Sequence, residues 1–447
     1  MAKRGKLDKG ARDERKKRRL ALLRDRHDVE LQEDADNGYL FRPRQCLYAR
    51  EDAPAVEKIL IDQYGAKRTD IWATNELASR KHARNARQPA RMLEPNLRVL
   101  KLRRLFLPPD QSVRACIGDL KSRDEVSLRR ANALAPNYVV LGESWWGGEP
   151  ARDPEPISPD EAERLGLRSP LDGEAAASLT VGVIDTGFDA NADQHPLLAG
   201  SFVLNPDDVD VLTADGDRFL DAEAGHGTFV AGVIRKHAPF VSLNPEAGLD
   251  PDGVGDAATI CGMIAMLARR TARQGEKPCQ IINLSLGCFT EFDVPPPGLD
   301  EALQVCERND VVVVAAAGNQ GVDRRFYPAA DERVIGVGAV EKDSRGSLRR
   351  ADYSNFGDWV DASTEGTDIE GLYVSGEWDP GAAGVITDAR IFEGYARWTG
   401  TSFATPRVAA AIATYIAEHP DVSRVQAALD LIASSPDGPD GLGKYIA

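Results

Sequence analysis

From residue 179 onward the chain alternates between two textures. Short, mostly apolar, β-branched runs occupy 179–184, 281–286, 311–317 and 334–340. They lack the every-second-residue alternation of a half-solvated strand and read as strands buried on both faces. Stretches with helical periodicity lie between them at 228–236, 258–273 and 297–308. Strand and helix in turn predict an α/β fold, a mostly parallel sheet with helices on both faces. The region 31–144 has a different rhythm. Strand-like stretches near 39–48, 97–105 and 138–141 mix with helix-like ones at 55–64, closed by Gly65, and 112–121. That mixture predicts a small α+β N-terminal domain. Residues 145–178 open on Trp145-Trp146-Gly147-Gly148, continue rich in Pro, Glu and Asp, and read as a linker. The expected division is a tail over 1–30, then 31–144, 145–178 and 179–447.

Charge sharpens this picture. A net charge of −15 gives no general case for nucleic-acid binding, which is not expected. The first thirty residues run the other way, with twelve Lys or Arg against six Asp or Glu, densest at Arg15-Lys16-Lys17-Arg18-Arg19. This basic tail reads as a solvated, frayed helix or tail, or as a docking arm for nucleic acid, membrane or an acidic partner. Leu20-Ala21-Leu22-Leu23 is too short for the apolar core of a secretory signal. No run reaches the roughly 18 apolar residues of a membrane-spanning helix, so no membrane partner is expected. The six cysteines form neither a C-x-x-C pair nor a dense framework. They read as reduced, mostly buried thiols of a cytoplasmic protein.

Four residues carry candidate chemistry. Asp185 ends the apolar run 179–184 and precedes Thr186-Gly187, at the carboxyl end of a buried strand, where open parallel sheets place reacting groups. His226 lies between glycines in Gly225-His226-Gly227-Thr228, at the opening of a helix. Ser402 opens another, alanine-rich helix within Gly400-Thr401-Ser402-Phe403-Ala404-Thr405-Pro406. Asn319 follows Gly318 after the run 311–317. Singly, each has a plain structural reading as a turn former, a packed histidine, a helix cap or a loop residue. Together they supply a nucleophile, a base, an orienting carboxylate and an oxyanion donor.

With these motifs the sequence resembles the subtilisin family of serine peptidases. The matching stretches are Val183-Ile184-Asp185-Thr186-Gly187, Gly225-His226-Gly227-Thr228-Phe229-Val230-Ala231-Gly232, Ala315-Ala316-Ala317-Gly318-Asn319 and Gly400 to Pro406. Ile282-Asn283-Leu284-Ser285-Leu286-Gly287, Tyr327-Pro328 and Val334-Ile335-Gly336-Val337-Gly338 match as well, and the order Asp, His, Ser is the family's own. The resemblance covers about 179–447. It implies a subtilisin-like fold and an endopeptidase acting through an acyl-enzyme. Ser402 is then the nucleophile, His226 the general base and acid, and Asp185 its orienter; Asn319 and the Ser402 N–H hold the oxyanion. A neutral histidine base implies activity that falls below about pH 6–7.

The resemblance also implies a cleft in which a protein or peptide substrate lies between Gly253-Val254-Gly255 and Ser285-Leu286-Gly287, paired as an added strand. Phe326 falls at the floor of the pocket for the residue preceding the scissile bond and would favour small residues there. Only Arg235-Lys236-His237-Ala238-Pro239 follows the His motif directly, and an acidic ligand near Leu197 is replaced, so the family's calcium site is expected to be missing and no metal or other cofactor is expected. Ala135-Pro136-Asn137-Tyr138-Val139-Val140 resembles the last strand and tail of the family's inhibitory prodomain. That implies cleavage near 143–147. A regulatory protein partner acting on a latent protease, and a non-proteolytic interaction role, are the alternatives to a self-restrained peptidase. Residues 367–397, acidic and aromatic, form either a hairpin over the active site, a partner surface or a surface loop.

Overall fold

A computed structural model describes residues 20–21, 23–32, 38–67, 100–123, 134–142, 153–168, 179–213, 218–269, 278–378, 389–439 and 441–447. The N-terminal part comprises β1 (Glu30–Gln32), β2 (Tyr39–Ala49), α1 (Ala53–Tyr64), β3 (Leu102–Phe106), α2 (Val113–Ser122) and β4 (Leu134–Leu141). After β5 (Glu155–Pro156) and α3 (Pro159–Arg164) come β6 (Thr180–Asp185), β7 (Phe219–Leu220), α4 (His226–His237), β8 (Ser242–Ala247), β9 (Val254–Asp256) and α5 (Ala257–Ala268). The chain continues through β10 (Ile281–Leu284), α6 (Leu299–Arg308), β11 (Val312–Ala316), β12 (Ile335–Lys342), β13 (Leu348–Arg350), β14 (Ala362–Glu365), β15 (Ile369–Trp378) and β16 (Arg390–Trp398). It closes with α7 (Thr401–Glu418), α8 (Arg424–Ser434) and β17 (Lys444–Tyr445).

The apolar runs form one sheet in the order β17-β14-β12-β11-β10-β6-β8, every neighbouring pair parallel, with β13 added antiparallel to β12. Both faces of the central strands β6, β10, β11 and β12 are covered, which explains why these four are mostly apolar. Ile282, Leu284, Val313 and Ala315 bury against the α5 and α6 side, with Ile260, Ile264 and Leu303. Val181, Val183, Ile281, Val312 and Val314 face the other way, onto Phe229 and Val233 of α4 and Phe403 and Ile412 of α7.

In the N-terminal part β2 pairs antiparallel with β1, β3 and β4. Ser112 caps α2, accepting from Ala115 N, and α1 ends at Gly65 in the left-handed region at φ 65°. Val56, Leu60, Ile117 and Leu120 from α1 and α2 belong to the same hydrophobic cluster as Ala258, Cys261 and Leu303, so this part shares its core with one face of the large sheet.

Two segments depart from the sequence reading. Residues 155–168, read as part of a linker, are built into the large unit. β5 pairs antiparallel with β16, and Ile157, Ala162 and Leu167 are buried in the second core. The local cause is Ser158-Pro159-Asp160-Glu161: Ser158 Oγ accepts from Glu161 N at 3.2 Å and Pro159 opens the helix. The basic tail ends in structure as well, while 1–19 lie outside the described residues. Residues 23–27 are helical and Leu23 is buried with Val29, Leu40, Val139, Leu141 and Val254. Among the described residues no helix is long and apolar enough to cross a membrane.

Of the three readings left open for 367–397, residues 369–398 take the form of a hairpin, β15 against β16, extended by β7 and β5 into a four-stranded sheet; its tip, 379–388, lies outside the described residues. Its inner face lies against α4. A Cβ on Gly225 would meet Val374 at 2.8 Å and one on Gly232 would meet Leu372 at 3.0 Å. The insertion therefore buttresses the helix that opens with His226.

Candidate active site

Asp185, His226, Ser402 and Asn319 converge at the carboxyl end of the parallel strands. Asp185 is the last residue of β6, and α4 begins with His226. Helix and strand end approach closely because residue 227 is glycine: a Cβ there would collide with the Gly187 carbonyl. His226 Nδ1 lies 2.7 Å from Asp185 Oδ1, which also accepts from Thr186 N at 2.8 Å. The carboxylate accepts only, so the proton of that bond sits on Nδ1 and Nε2 is the basic nitrogen. Burial alone would lower the His226 imidazole. The charge and hydrogen bond of Asp185, with Glu223 adding to them, outweigh it and raise the group above its ordinary 6.5. Trp398 and Phe403 wall the ring, with centroids at 5.3 Å each.

Ser402 is the second residue of α7. Pro406 has no N–H for the Ser402 carbonyl, the acceptor four residues earlier. Ser285 Oγ donates to that carbonyl instead, at 2.8 Å, which ties the head of the helix to the cleft wall. Asn319 is fixed from the same helix start: its Oδ1 accepts from Thr401 N at 2.8 Å and from Thr401 Oγ1 at 2.9 Å. The amide's acceptor end is thereby committed to α7, and its NH₂ lies at the opposite end.

No hydrogen bond joins His226 Nε2 to Ser402 among the described residues. The Ser402 hydroxyl is directed to Ser285 O at 3.3 Å and Gly142 O at 3.4 Å. Gly142 follows β4, and β4 lies in the cleft. Val139, Val140 and Leu141 pair antiparallel with Asp256, Gly255 and Val254. On the other side Leu141 exchanges two 3.0 Å hydrogen bonds with Gly287, and Gly142 N donates to Gly253 O at 3.0 Å. Gly253, Val254, Gly255, Ser285 and Gly287 thus flank one added strand, and that strand comes from this chain. Leu286 is buried in the core between the two wall residues. His226 and Ser402 are 0% and 1% exposed with the strand in place.

Phe326 is buried at the same wall. A Cβ on Gly287 would collide with its ring, one on Gly318 would meet it at 3.1 Å, and Phe289 packs on it edge-on at 5.0 Å. It occupies the space that glycines 287 and 318 leave open.

The N-terminal segment also grips the cleft edge. His27 lies 3.0 Å from Asp250 and 2.8 Å from Asp252, and Arg26 lies 3.3 Å from Asp252 and 3.5 Å from Asp221. Burial would lower His27, but the two carboxylates outweigh it and push the imidazole up to about 9. Nothing in the sequence marks this contact, because its partners lie about two hundred positions away.

The subtilase family model matches residues 176–442, and the chain belongs to the subtilase family. It is 33% identical over 275 residues to the thermophilic serine proteinase of Bacillus sp. (strain AK1), covering 59% of each chain. It is 30% identical to subtilisin BL of Lederbergia lenta, covering 57% of this chain and 82% of that protein. The chain thus spans little more than half the length of the first of these relatives. Among solved structures it resembles fervidolysin of Fervidobacterium pennivorans, a keratinolytic enzyme related to subtilisin. The TM-score is 0.59 at 17% identity, over 93% of this chain and 61% of that one, and it supports the subtilisin-like fold.

Proposed function

We propose that the chain is a serine endopeptidase whose N-terminal part restrains it. The observation that carries the peptidase reading is the 2.7 Å Asp185–His226 contact at the cleft that also holds Ser402 and Asn319. In this reading Ser402 Oγ attacks the scissile carbonyl. His226 Nε2 takes the proton and passes it to the leaving amine, and Asp185 stabilises the imidazolium formed. The Asn319 NH₂ and the Ser402 N–H hold the oxyanion. Labelling of Ser402 by a fluorophosphonate, mapped by peptide mass, tests this reading.

The base must be neutral, and His226 is raised above 6.5, so activity is expected to fall as pH drops through a value above 6.5. A kcat/KM profile that stays flat between roughly pH 5 and 8 contradicts the role of His226.

The restraint reading rests on β4. An extended substrate would make the same backbone hydrogen bonds that Leu141 and Gly142 make, so strand and substrate exclude each other. Glycine at 142 places no side chain in the way, and residues 143–147, where cleavage is expected, lie outside the described residues. In this reading residues 31–144 act as the inhibitory unit and 179–447 as the peptidase. The six cysteines are all reduced and buried, which supports a cytoplasmic setting.

Phe326 supports a preference for a small residue before the scissile bond. Phe326→Ala is expected to shift the ratio of kcat/KM for phenylalanine over alanine at that position by about 10–100-fold. The ratio is independent of the folded fraction, so an unchanged ratio in paired peptide substrates removes the pocket assignment.

A further inference from the structure

Asp210 is a buried carboxyl beside the site for which the triad reading has no role. A short parallel bridge brings it there. Phe188 N donates to Asp208 O at 3.0 Å, and Asp210 N donates to Phe188 O at 2.9 Å, which lays this segment along the turn after β6. The residue is 4% exposed. Its Oδ2 accepts from Thr186 Oγ1 at 2.7 Å and from Gly225 N at 2.8 Å. Thr186 directly follows Asp185 and Gly225 directly precedes His226. The Thr186 hydroxyl in turn accepts from Gly227 N at 3.1 Å, on the other side of His226. One oxygen therefore joins the turn that carries the orienting carboxylate to both backbone neighbours of the base.

We infer that Asp210 is a positioning residue for this peptidase: its carboxyl locks the Asp185 turn to the start of α4 and so holds the contact between Asp185 and His226. The inference rests on the triad reading. Without Asp210, the turn and the helix start keep the Thr186–Gly227 link and, further along each, the bond from Asp189 N to Thr228 Oγ1, beside the Asp185–His226 bond itself. The N–H of Gly225, the residue that directly precedes the base, is then no longer held. The base can then drift relative to its orienter, and small misplacements are costly: about 1 Å costs about 10²-fold in rate.

The chemistry of Asp210 gives the inference a distinctive signature. The titratable groups facing it are Asp185 from β6, Asp221 from the loop before α4, and His226 from α4 itself. Burial pushes the carboxyl up, against its two hydrogen bonds, to about 8. Its Oδ1 has no hydrogen-bond partner among the described residues, and since Oδ2 already accepts two donors, Oδ1 is the oxygen left for the proton of the neutral acid. Near neutral pH Oδ2 thus accepts both donors from an uncharged acid, a form that asparagine reproduces with its amide oxygen in the place of Oδ2. Above about 8 the acid ionises and adds a negative charge facing His226, which favours the imidazolium that forms in the transition state.

The test is the second-order rate of fluorophosphonate labelling at Ser402, measured from pH 5 to 10 on the wild type, Asp210→Ala and Asp210→Asn as purified, with the intact mass and thermal melting of each. At pH 7 Asp210→Ala is expected to label about tenfold more slowly and Asp210→Asn at close to the wild-type rate. The wild type is expected to show the ionisation of His226, an upward step near 8 and the rise near 9 that follows loss of the His27 contact, and Asp210→Asn only the first and the last. If Asp210→Ala melts earlier yet labels as fast as wild type, the residue is structural only and the inference fails. It fails equally if Asp210→Asn is as slow as Asp210→Ala, or if the step near 8 survives in Asp210→Asn. A wild type that does not label at any pH overturns the triad reading instead, and the inference with it.

Discussion

Ser402→Ala is expected to lower peptide hydrolysis by about 10⁶-fold, the scale on which loss of the nucleophile acts in subtilisin, and to stop any self-cleavage at the same time. The size of the loss follows from how the site is built. Asp185 and His226 already form their bond at 2.7 Å, so their whole contribution depends on a hydroxyl at the head of α7. With alanine there, the oxyanion donors remain but no acyl-enzyme forms, and only the roughly 10³–10⁴-fold contribution of binding and oxyanion stabilisation is left. Fold is not at stake, because the helix start is held by the Ser402 backbone carbonyl and by Thr401, both of which the variant keeps. A variant that retains more than a hundredth of wild-type hydrolysis, with unchanged melting, would place the nucleophile elsewhere.

The second large effect goes the other way. Leu141→Pro with Gly142→Pro is expected to raise full-length activity on an added peptide by roughly 10²-fold. Each proline deletes a donor: Leu141 N bonds Gly287 O and Gly142 N bonds Gly253 O, both at 3.0 Å. At about 1 kcal/mol per bond these losses account for roughly 2 kcal/mol. The added ring at 142 crowds Leu249, whose Cδ1 stands 2.9 Å from where a Cβ would lie, and supplies about another 1 kcal/mol. The peptide substrate suffers none of this, so the competition shifts toward it. The His27 contact adds a pH dependence whose sign is fixed. Its value is raised from 6.5 to about 9, so the contact stabilises the docked segment fully below 6.5 and is lost as pH rises through about 9. Activity of the wild type on small peptides is expected to climb there. Equal or lower hydrolysis by the proline variant, with Ser402 still reactive, would mean that β4 is no inhibitor.

The sequence made some of this visible and hid the rest for identifiable reasons. Strands such as 281–284 and 312–316 stood out because burial on both faces removes nearly every polar position, Asn283 being the exception, with its amide donating to Ser285 Oγ. Asp185, His226 and Ser402 stood out because each sits at the junction of an apolar run and a glycine-marked turn. Such local patterns survive without knowledge of the fold. The contact between Leu141 and Gly287 does not, because pairing across 146 positions leaves no periodicity in either strand. Residues 155–168 were concealed by their Pro and acidic content, although the Ser158 and Glu161 spacing is a local helix signal. Asp210 was concealed in a run of aspartates, Asp207-Asp208-Val209-Asp210, that reads as solvated surface. The bridge to Phe188 lays this run against the turn after β6, and Asp208 and Asp210 are both buried there.

The most direct measurement is the intact mass of purified wild type beside Ser402→Ala, each with and without fluorophosphonate. The account predicts a wild type that takes one label and is cleaved after Gly142, within 143–147, and a variant that is neither labelled nor cleaved. A labelled wild type that stays full length keeps the peptidase and makes the N-terminal part a permanent docking unit. A wild type that is neither labelled nor cleaved contradicts the central claim that Asp185, His226 and Ser402 form a working hydrolytic site.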